Sequence, residues 1–334
     1  MRIALDVMGT DTYPVPDIEG AILAARETND TILLVGDESR IKTELEKYHT
    51  SELKLEIVHA HDVITMDDKP SAVGKAKPQS SMHIGMNLVK DGKADAFVTM
   101  GNTGAAMTIA TLFTLRRIPQ VKRPALSSII RVVNDRSIIM LDIGANTDSK
   151  PEWLLQFAIM GRIYASKVLG ATNPRIALLA NGEEESKGNQ LIHDSASLLK
   201  QANCNFVGNI EPRDVLKGEA DVIVSDGFVG NIAIKSFEAM GSALFGLIRS
   251  ELQSDLIATI GAALAQRAFR RVYRKVDPFE IGGAPLLGVN GVVIIGHGRS
   301  NGKAVKNAIR QARLAISGDI INSIGRGLTD LPSL

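Results

Sequence analysis

Several glycine-flanked turns in this chain carry side chains suited to holding anions and moving protons. Gly101-Asn102-Thr103-Gly104 follows the apolar run Ala96–Thr99 and opens an apolar helix pattern. Free N–H groups at a helix start, with the Thr103 hydroxyl beside them, form a seat for an oxyanion, although Asn and Thr are also ordinary N-caps. Asp226-Gly227-Phe228-Val229-Gly230-Asn231 repeats the logic. Its glycines permit close backbone approach to a ligand, and Asp226 and Asn231 either hold a substrate group or pin the turn. Glu183-Glu184-Glu185-Ser186-Lys187-Gly188 packs three carboxylates before one lysine. Such a cluster reads as a solvated helix start, or as Lys187 lending charge to a bound phosphate while a glutamate orients it. A strand leads directly into this loop, which favours the second reading. In Gly296-His297-Gly298-Arg299-Ser300, a glycine on either side leaves His297 accessible as a general acid or anion donor, with Asn301 and Lys303 at the helix start that follows. Asp142-Ile143-Gly144-Ala145-Asn146 and Asp6-Val7-Met8-Gly9-Thr10-Asp11 are two further turns of this kind.

The elements that must position these turns alternate along the chain. Strand patterns fall at Arg2–Leu5, Thr31–Val35, Leu55–His59, Ala96–Thr99, Ser128–Val132, Ile138–Asp142, Arg175–Leu179, Val222–Ser225 and Val292–Ile295. Several are apolar without alternation, the pattern of strands covered on both faces. Helix patterns lie at Asp17–Arg26, Thr103–Leu115, Glu152–Leu169, Gln190–Gln201 and Val229–Arg249. This order predicts an α/β fold, a doubly wound and mostly parallel sheet between helix layers. Ligands in that architecture sit beyond the carboxyl ends of strands, so the polar turns are expected to converge on one rim. In the segment from Met66 to Met82, Lys75 and Lys77 precede Ser80-Ser81, which can cap the next helix.

Composition narrows the classes. With 38 basic and 37 acidic residues and 4% aromatics, the chain lacks the basic balance and stacking platforms of a nucleic-acid binder. At 334 residues and 45% hydrophobic, it can bury one large core over 1–334, or two lobes sharing a cleft. The start, Met1-Arg2-Ile3-Ala4-Leu5-Asp6, lacks the long apolar run of a signal peptide. No run approaches the roughly 20 apolar residues of a membrane span. The single cysteine, Cys204, excludes an internal disulfide, fits a reducing cytoplasm, and has no neighbouring His to activate it. Zinc-site spacings, a Walker-type phosphate loop and a dinucleotide turn are absent, so no cofactor and no metal are expected.

One segment differs in character. Across 252–276, Leu256, Ile257, Ile260, Leu264, Phe269 and Val272 recur at helical spacing, and Arg267, Arg270, Arg271, Arg274 and Lys275 cluster at its end. A basic amphipathic arm of this kind meets an anionic membrane or an acidic partner, packs on the surface, or joins a dimer interface.

Taken together, the turns resemble the PlsX-type phosphate acyltransferases of bacterial phospholipid synthesis. The matching stretches run in family order: RIALDVMGTD, ADAFVTMGNTGAAM, IPQVKRPAL, LDIGANTDSKPEWLLQFAIMG, NGEEESKGN, FVGNIEPRD, ADVIVSDGFVGN, GGAPLLGVNG and HGRSNGKAVKNAI. They cover nearly the whole length. The chain departs at Thr10, where the family has a second glycine, and at Thr12-Tyr13, where it has His-Ala; Lys75 and Lys77 stand where an arginine is expected, and Ala180-Asn181 replaces Asn-Ile. The resemblance implies an isopropylmalate dehydrogenase-like sandwich, a homodimer, acylated acyl carrier protein and inorganic phosphate as substrates, and peripheral contact with the inner face of the plasma membrane. On that reading Asn102, Thr103, Lys187 and Lys303 bind phosphate. Gly104, Asp142, Asn146 and Asp226 line the same substrate site. Asn231 and the Gly230 turn donate to the carbonyl oxygen, and His297 protonates the departing thiolate or donates to phosphate. Three rivals are weighed beside it: a phosphotransacetylase-like enzyme using short-chain acyl-CoA, an NAD-dependent decarboxylating dehydrogenase and a non-catalytic membrane scaffold. The dehydrogenase would need clustered metal-binding aspartates, and Asp142, Asp148 and Asp226 form no convincing set.

Overall fold

The computed structural model describes residues 1–132 and 135–330. Among them one sheet runs through the molecule. Its strands are β1 (Arg2–Asp6), β2 (Thr31–Gly36), β3 (Leu55–His59), β4 (Ala96–Thr99), β5 (Ala125–Arg131), β6 (Ser137–Leu141), β7 (Ile176–Leu179), β8 (Phe206–Ile210), β9 (Val222–Val224), β10 (Ala284–Leu287) and β11 (Val292–Ile295). The helices are α1 (Val15–Glu27), α2 (Glu38–Leu45), α3 (Pro70–Ala76), α4 (Ser81–Lys90), α5 (Thr103–Thr108), α6 (Pro151–Lys167), α7 (Gln190–Gln201), α8 (Pro212–Val215), α9 (Gly227–Glu251), α10 (Leu256–Val276), α11 (Gly302–Ser317) and α12 (Ile320–Thr329).

Alternation along the central strands explains the layering. In β4, Ala96 and Val98 face a core shared with α1, α6, α11 and α12, while Phe97 faces the opposite core with α3, α4 and α5. In β6, Ile139 and Leu141 join the first core, and Ile138 and Met140 pack toward α8 and α9. Side chains two apart share a face, so a strand that is apolar throughout must be covered twice. This is the expected α/β/α sandwich.

The order across the sheet is β3-β2-β1-β4-β11-β10-β5-β6-β9-β7-β8. Strands β1, β2, β3, β4 and β11 are mutually parallel, as are β6, β7, β8 and β9. Three successive antiparallel pairings, β11 with β10, β10 with β5 and β5 with β6, separate the two groups. An odd number of reversals leaves the groups pointing in opposite directions. The polar turns therefore occupy two rims, which corrects the expectation of one.

Two strands carry no legible pattern. β8 reads Phe-Val-Gly-Asn-Ile at the sheet edge, and β10 reads Ala-Pro-Leu-Leu. Gly, Asn and Pro are poor strand formers, and Pro285 surrenders a ladder donor. The predicted helix Thr103–Leu115 is α5 followed by a π-helical turn, Ile109–Phe113, against which Gly74 of α3 packs closely.

At the first turn after β1, Thr10 has a structural partner. Thr10 donates its hydroxyl to Asp17 of α1 at 2.5 Å, and Asp17 is fully buried with its second oxygen unpartnered. Burial pushes the Asp17 carboxyl well above its usual range, and the neighbouring Asp6 adds to the push. A raised carboxyl holds its proton longer when folded than when unfolded, so its contribution to stability falls as pH rises from the unfolded value toward the folded one. Asp17→Asn is expected to raise the melting temperature at neutral pH and to leave it unchanged near pH 4, because the amide keeps the Thr10 acceptor without the ionisable proton. Each tenfold difference in proton affinity between the folded and unfolded chain is worth about 1.4 kcal/mol. Equal melting temperatures at both pH values would sink the idea.

Candidate active site

On the first rim the ends of β1, β4 and β11 meet. The buried Asp6 accepts from Thr99 Oγ1 at 2.8 Å and from the Met8 amide at 3.0 Å, and Thr99 Oγ1 in turn accepts from the Gly101 amide at 3.0 Å. The Gly101–Gly104 turn is thus hung from the end of β1. Asn102 caps α5 by accepting from the Ala105 amide at 3.0 Å, and its amide nitrogen donates to the carbonyls of Thr65, Met66 and Asp68. The loop before α3 is tied down this way, and Ser80 caps α4 beyond it. Asn102 is consequently occupied on both ends, whereas the half-buried Thr103 hydroxyl has no partner among the described residues. Gly104 lies against Pro70 of α3. The Asp11 amide donates to the Gly298 carbonyl at 2.8 Å, which seats the His297 turn beside them.

The second rim is built around Asp142. Its carboxylate is fully buried and accepts from the amides of Leu126, Gly144, Ala145 and Asn146 and from the Asn146 side chain, all within 3.1 Å. Burial pushes Asp142 above the usual carboxylate range, and this ring of donors works against the push. Asn146 spends its amide on Asp142 and on the Pro124 carbonyl. Asp226 caps α9 through the amides of Phe228 and Val229, both at 2.9 Å. Asp142, Asn146 and Asp226 therefore hold backbone in place.

Glycines at 227 and 230 bring α9 against this loop. The Gly227 amide donates to the Asn146 carbonyl at 2.8 Å, and a methyl on Gly230 would collide with the Asp142 carbonyl. The close approach sets Asn231 over Gly144, at 3.6 Å from where a methyl on that glycine would stand. Half-buried Asn231 has no hydrogen bond among the described residues.

Helix α9 joins the rims. His297 Nε2 stands 4.0 Å from Glu238 Oε1, and Glu238 follows Asn231 by two helical turns on the same face. At 1.5 Å per residue that is about 10 Å along the helix. No local pattern marks Glu238, because its relation to His297 exists only once α9 crosses the sheet. Asp6 was legible as an acid at a strand end, though nothing in the sequence assigned it to the Gly101 turn.

Lys187 lies past β7 on the second rim. Its backbone is fixed by Asn209, which donates to the Glu184 and Lys187 carbonyls, and its exposed ammonium has no ion pair among the described residues. Glu185 pairs with Lys200, and a hydrogen bond with Asp214 pushes Glu183 up. Glu183, Asp214 and Glu219 have oxygens close enough to share a cation, but Asp214 is already paired with Lys217 and Arg213. Lys303 is drawn to Glu280 at 2.6 Å and Asp277 at 3.6 Å. Of the basic cluster on α10, Lys275 meets Asp135 at 2.8 Å, and Arg267, Arg270, Arg271 and Arg274 are exposed.

Among the described residues the Thr103 hydroxyl on the first rim, and the Asn231 amide and Lys187 ammonium on the second, have no hydrogen-bond or ion-pair partner, while His297 faces Glu238. A free amide and ammonium on one rim can position an anion against a carbonyl and stabilise an oxyanion. A family model described as fatty acid synthesis protein matches residues 1–323. A phosphate acyltransferase of Dictyoglomus turgidum is 47% identical over 332 residues, covering 99% of this chain and 98% of the relative. One from Trichlorobacter lovleyi is 43% identical over 330 residues, covering 99% and 95%. Among solved structures, a phosphotransacetylase from Streptococcus pyogenes superposes with a TM-score of 0.60 at 17% identity, covering 96% of this chain and 94% of that one, a likeness of fold.

Proposed function

From the premise that the chain belongs to the phosphate acyltransferase family of fatty acid and phospholipid synthesis, we propose that it moves a long-chain acyl group from acyl carrier protein to inorganic phosphate. A phosphate oxygen attacks the thioester carbonyl, the carbon–sulfur bond breaks, and acyl phosphate and the carrier thiol leave. Phosphate is already nucleophilic near neutral pH, so the protein's work is positioning and charge stabilisation. Lys187 binds phosphate on the rim that also carries Asn231. Asn231, with the Gly230 turn behind it, donates to the oxyanion. His297, with Glu238 facing it, protonates the thiolate. Asn102, Asp142, Asn146 and Asp226 serve by fixing the turns, and Gly104 lets the loop before α3 lie close. Lys303 acts through Asp277 and Glu280.

The observation that carries this reading is that Asn231 and Lys187, on one rim, stay free while their neighbours are spent on backbone. Thiol release from palmitoyl-acyl carrier protein, with hydroxylamine trapping of the product, tests it. Release that requires phosphate and yields hydroxamate is expected; release indifferent to phosphate, or faster turnover of a short-chain acyl-CoA, would overturn it.

The membrane and dimer contacts belong, on the same proposal, to the α9–α10 hairpin at the inner face of the plasma membrane. Met240, Leu247, Leu256, Ile257 and Leu264 on it are each more than 60% exposed, apolar exposure of the kind that accompanies an interface. No helix of the described residues is long and apolar enough to cross a membrane.

A further inference from the structure

A polar cavity, of about 430 Å³, opens where the end of α6, the loop before β7 and α12 meet. It lies far from the transfer site. Helix α6 starts a few residues after the Asp142–Asn146 turn and runs from Pro151 to Arg162, the first residue to line the cavity, on the order of 16 Å at 1.5 Å per residue. Arg162, Ser166 and Lys167 of α6, Asn173 of the loop, and Ser323 and Arg326 of α12 line it.

The charge on its walls is unbalanced. The half-buried Arg162 guanidinium and the Lys167 ammonium have no hydrogen bond or ion pair among the described residues. Arg326 shares its guanidinium between Asp319 at 3.1 Å and Ser323 Oγ at 3.4 Å. Three cations thus face one carboxylate around a recess whose volume is that of a small-molecule site. Favourable placement at a helix C-terminus accounts for Lys167, but Arg162 stands more than a turn earlier. Unpaired guanidinium donors suit a phosphate group, and the serines and Asn173 suit hydroxyls beside it.

We propose that this cavity binds a small molecule bearing a phosphate monoester. The two serine hydroxyls and the Asn173 amide meet its polar body, and Arg162 and Lys167 take the phosphate oxygens. The site is independent of the transfer chemistry.

Titration calorimetry with glucose 6-phosphate, and flotation with vesicles carrying phosphatidic acid, separate a soluble ester from the same group on a lipid surface. Binding in either arm is expected, weakened roughly tenfold or more by Arg162→Ala with Lys167→Ala. Arg162→Lys should retain part of it and guards against a misfolded double variant. An Asn231→Ala protein should bind like the parent, which keeps this site apart from the transfer site. No binding in either arm, equal binding by the double variant, or loss in Asn231→Ala would overturn the proposal.

Discussion

Alanine at Gly230 is expected to cut acyl transfer by roughly 10²-fold or more and to lower the melting temperature by several degrees. The added methyl has no room, because the Asp142 carbonyl occupies its place. That carbonyl is backbone, and its residue is locked by five donors to its carboxylate, so the neighbour cannot yield. Helix α9 must lift away from the loop instead, at a cost of about 1–3 kcal/mol typical of overpacking. Asn231 lifts with it. An oxyanion donor displaced by even an ångström loses most of its effect, and removal of one such donor costs about 10²–10³ in rate. Thiol-release kinetics beside calorimetry would read both quantities, and a Gly230→Ala enzyme matching the parent in both would refute this packing account. A folded but inactive variant would point to orientation as the larger part.

The second large effect divides two residues by kinetic signature. Asn231→Ala is expected to lower kcat by about 10²–10³ with little change in the phosphate KM, since a donor to the developing oxyanion acts in the transition state. Lys187→Ala should instead raise the phosphate KM by roughly tenfold or more, because a charge that holds phosphate acts in both ground and transition states. Neither side chain has a partner among the described residues, so their removal orphans no buried group and the proteins should melt like the parent. Initial rates across a phosphate series separate the cases. An Asn231→Ala enzyme with normal kcat, or a Lys187→Ala enzyme with full activity at low phosphate, would remove that residue from its role.

Much of the layer structure was legible because it depends on short-range pattern. Short apolar runs such as Ile138–Met140 and Val222–Val224 suit strands covered on both faces, and Asn102, Asp226 and Asn301 mark helix starts by chemistry that acts within three residues. The turns that hold the candidate site were readable for the same reason. Their division of labour was not. Asn102 and Thr103 look equally suited to bind an anion, yet the three carbonyls that occupy Asn102 come from a loop more than thirty positions earlier.

What the sequence determined by itself was the family, the alternating elements and the list of turns, each a matter of residues near one another along the chain. Tertiary structure decided where those turns face. Strand β10, with Pro285 in it, shows no strand pattern, yet its two antiparallel pairings, together with that of β5 on β6, set the halves of the sheet in opposite directions. Direction across a sheet depends on which strands pair, and pairing is settled by burial summed over distant segments. For the same reason only the fold could lay α9 from Asn231 to His297 and leave Arg162 and Lys167 facing an open cavity.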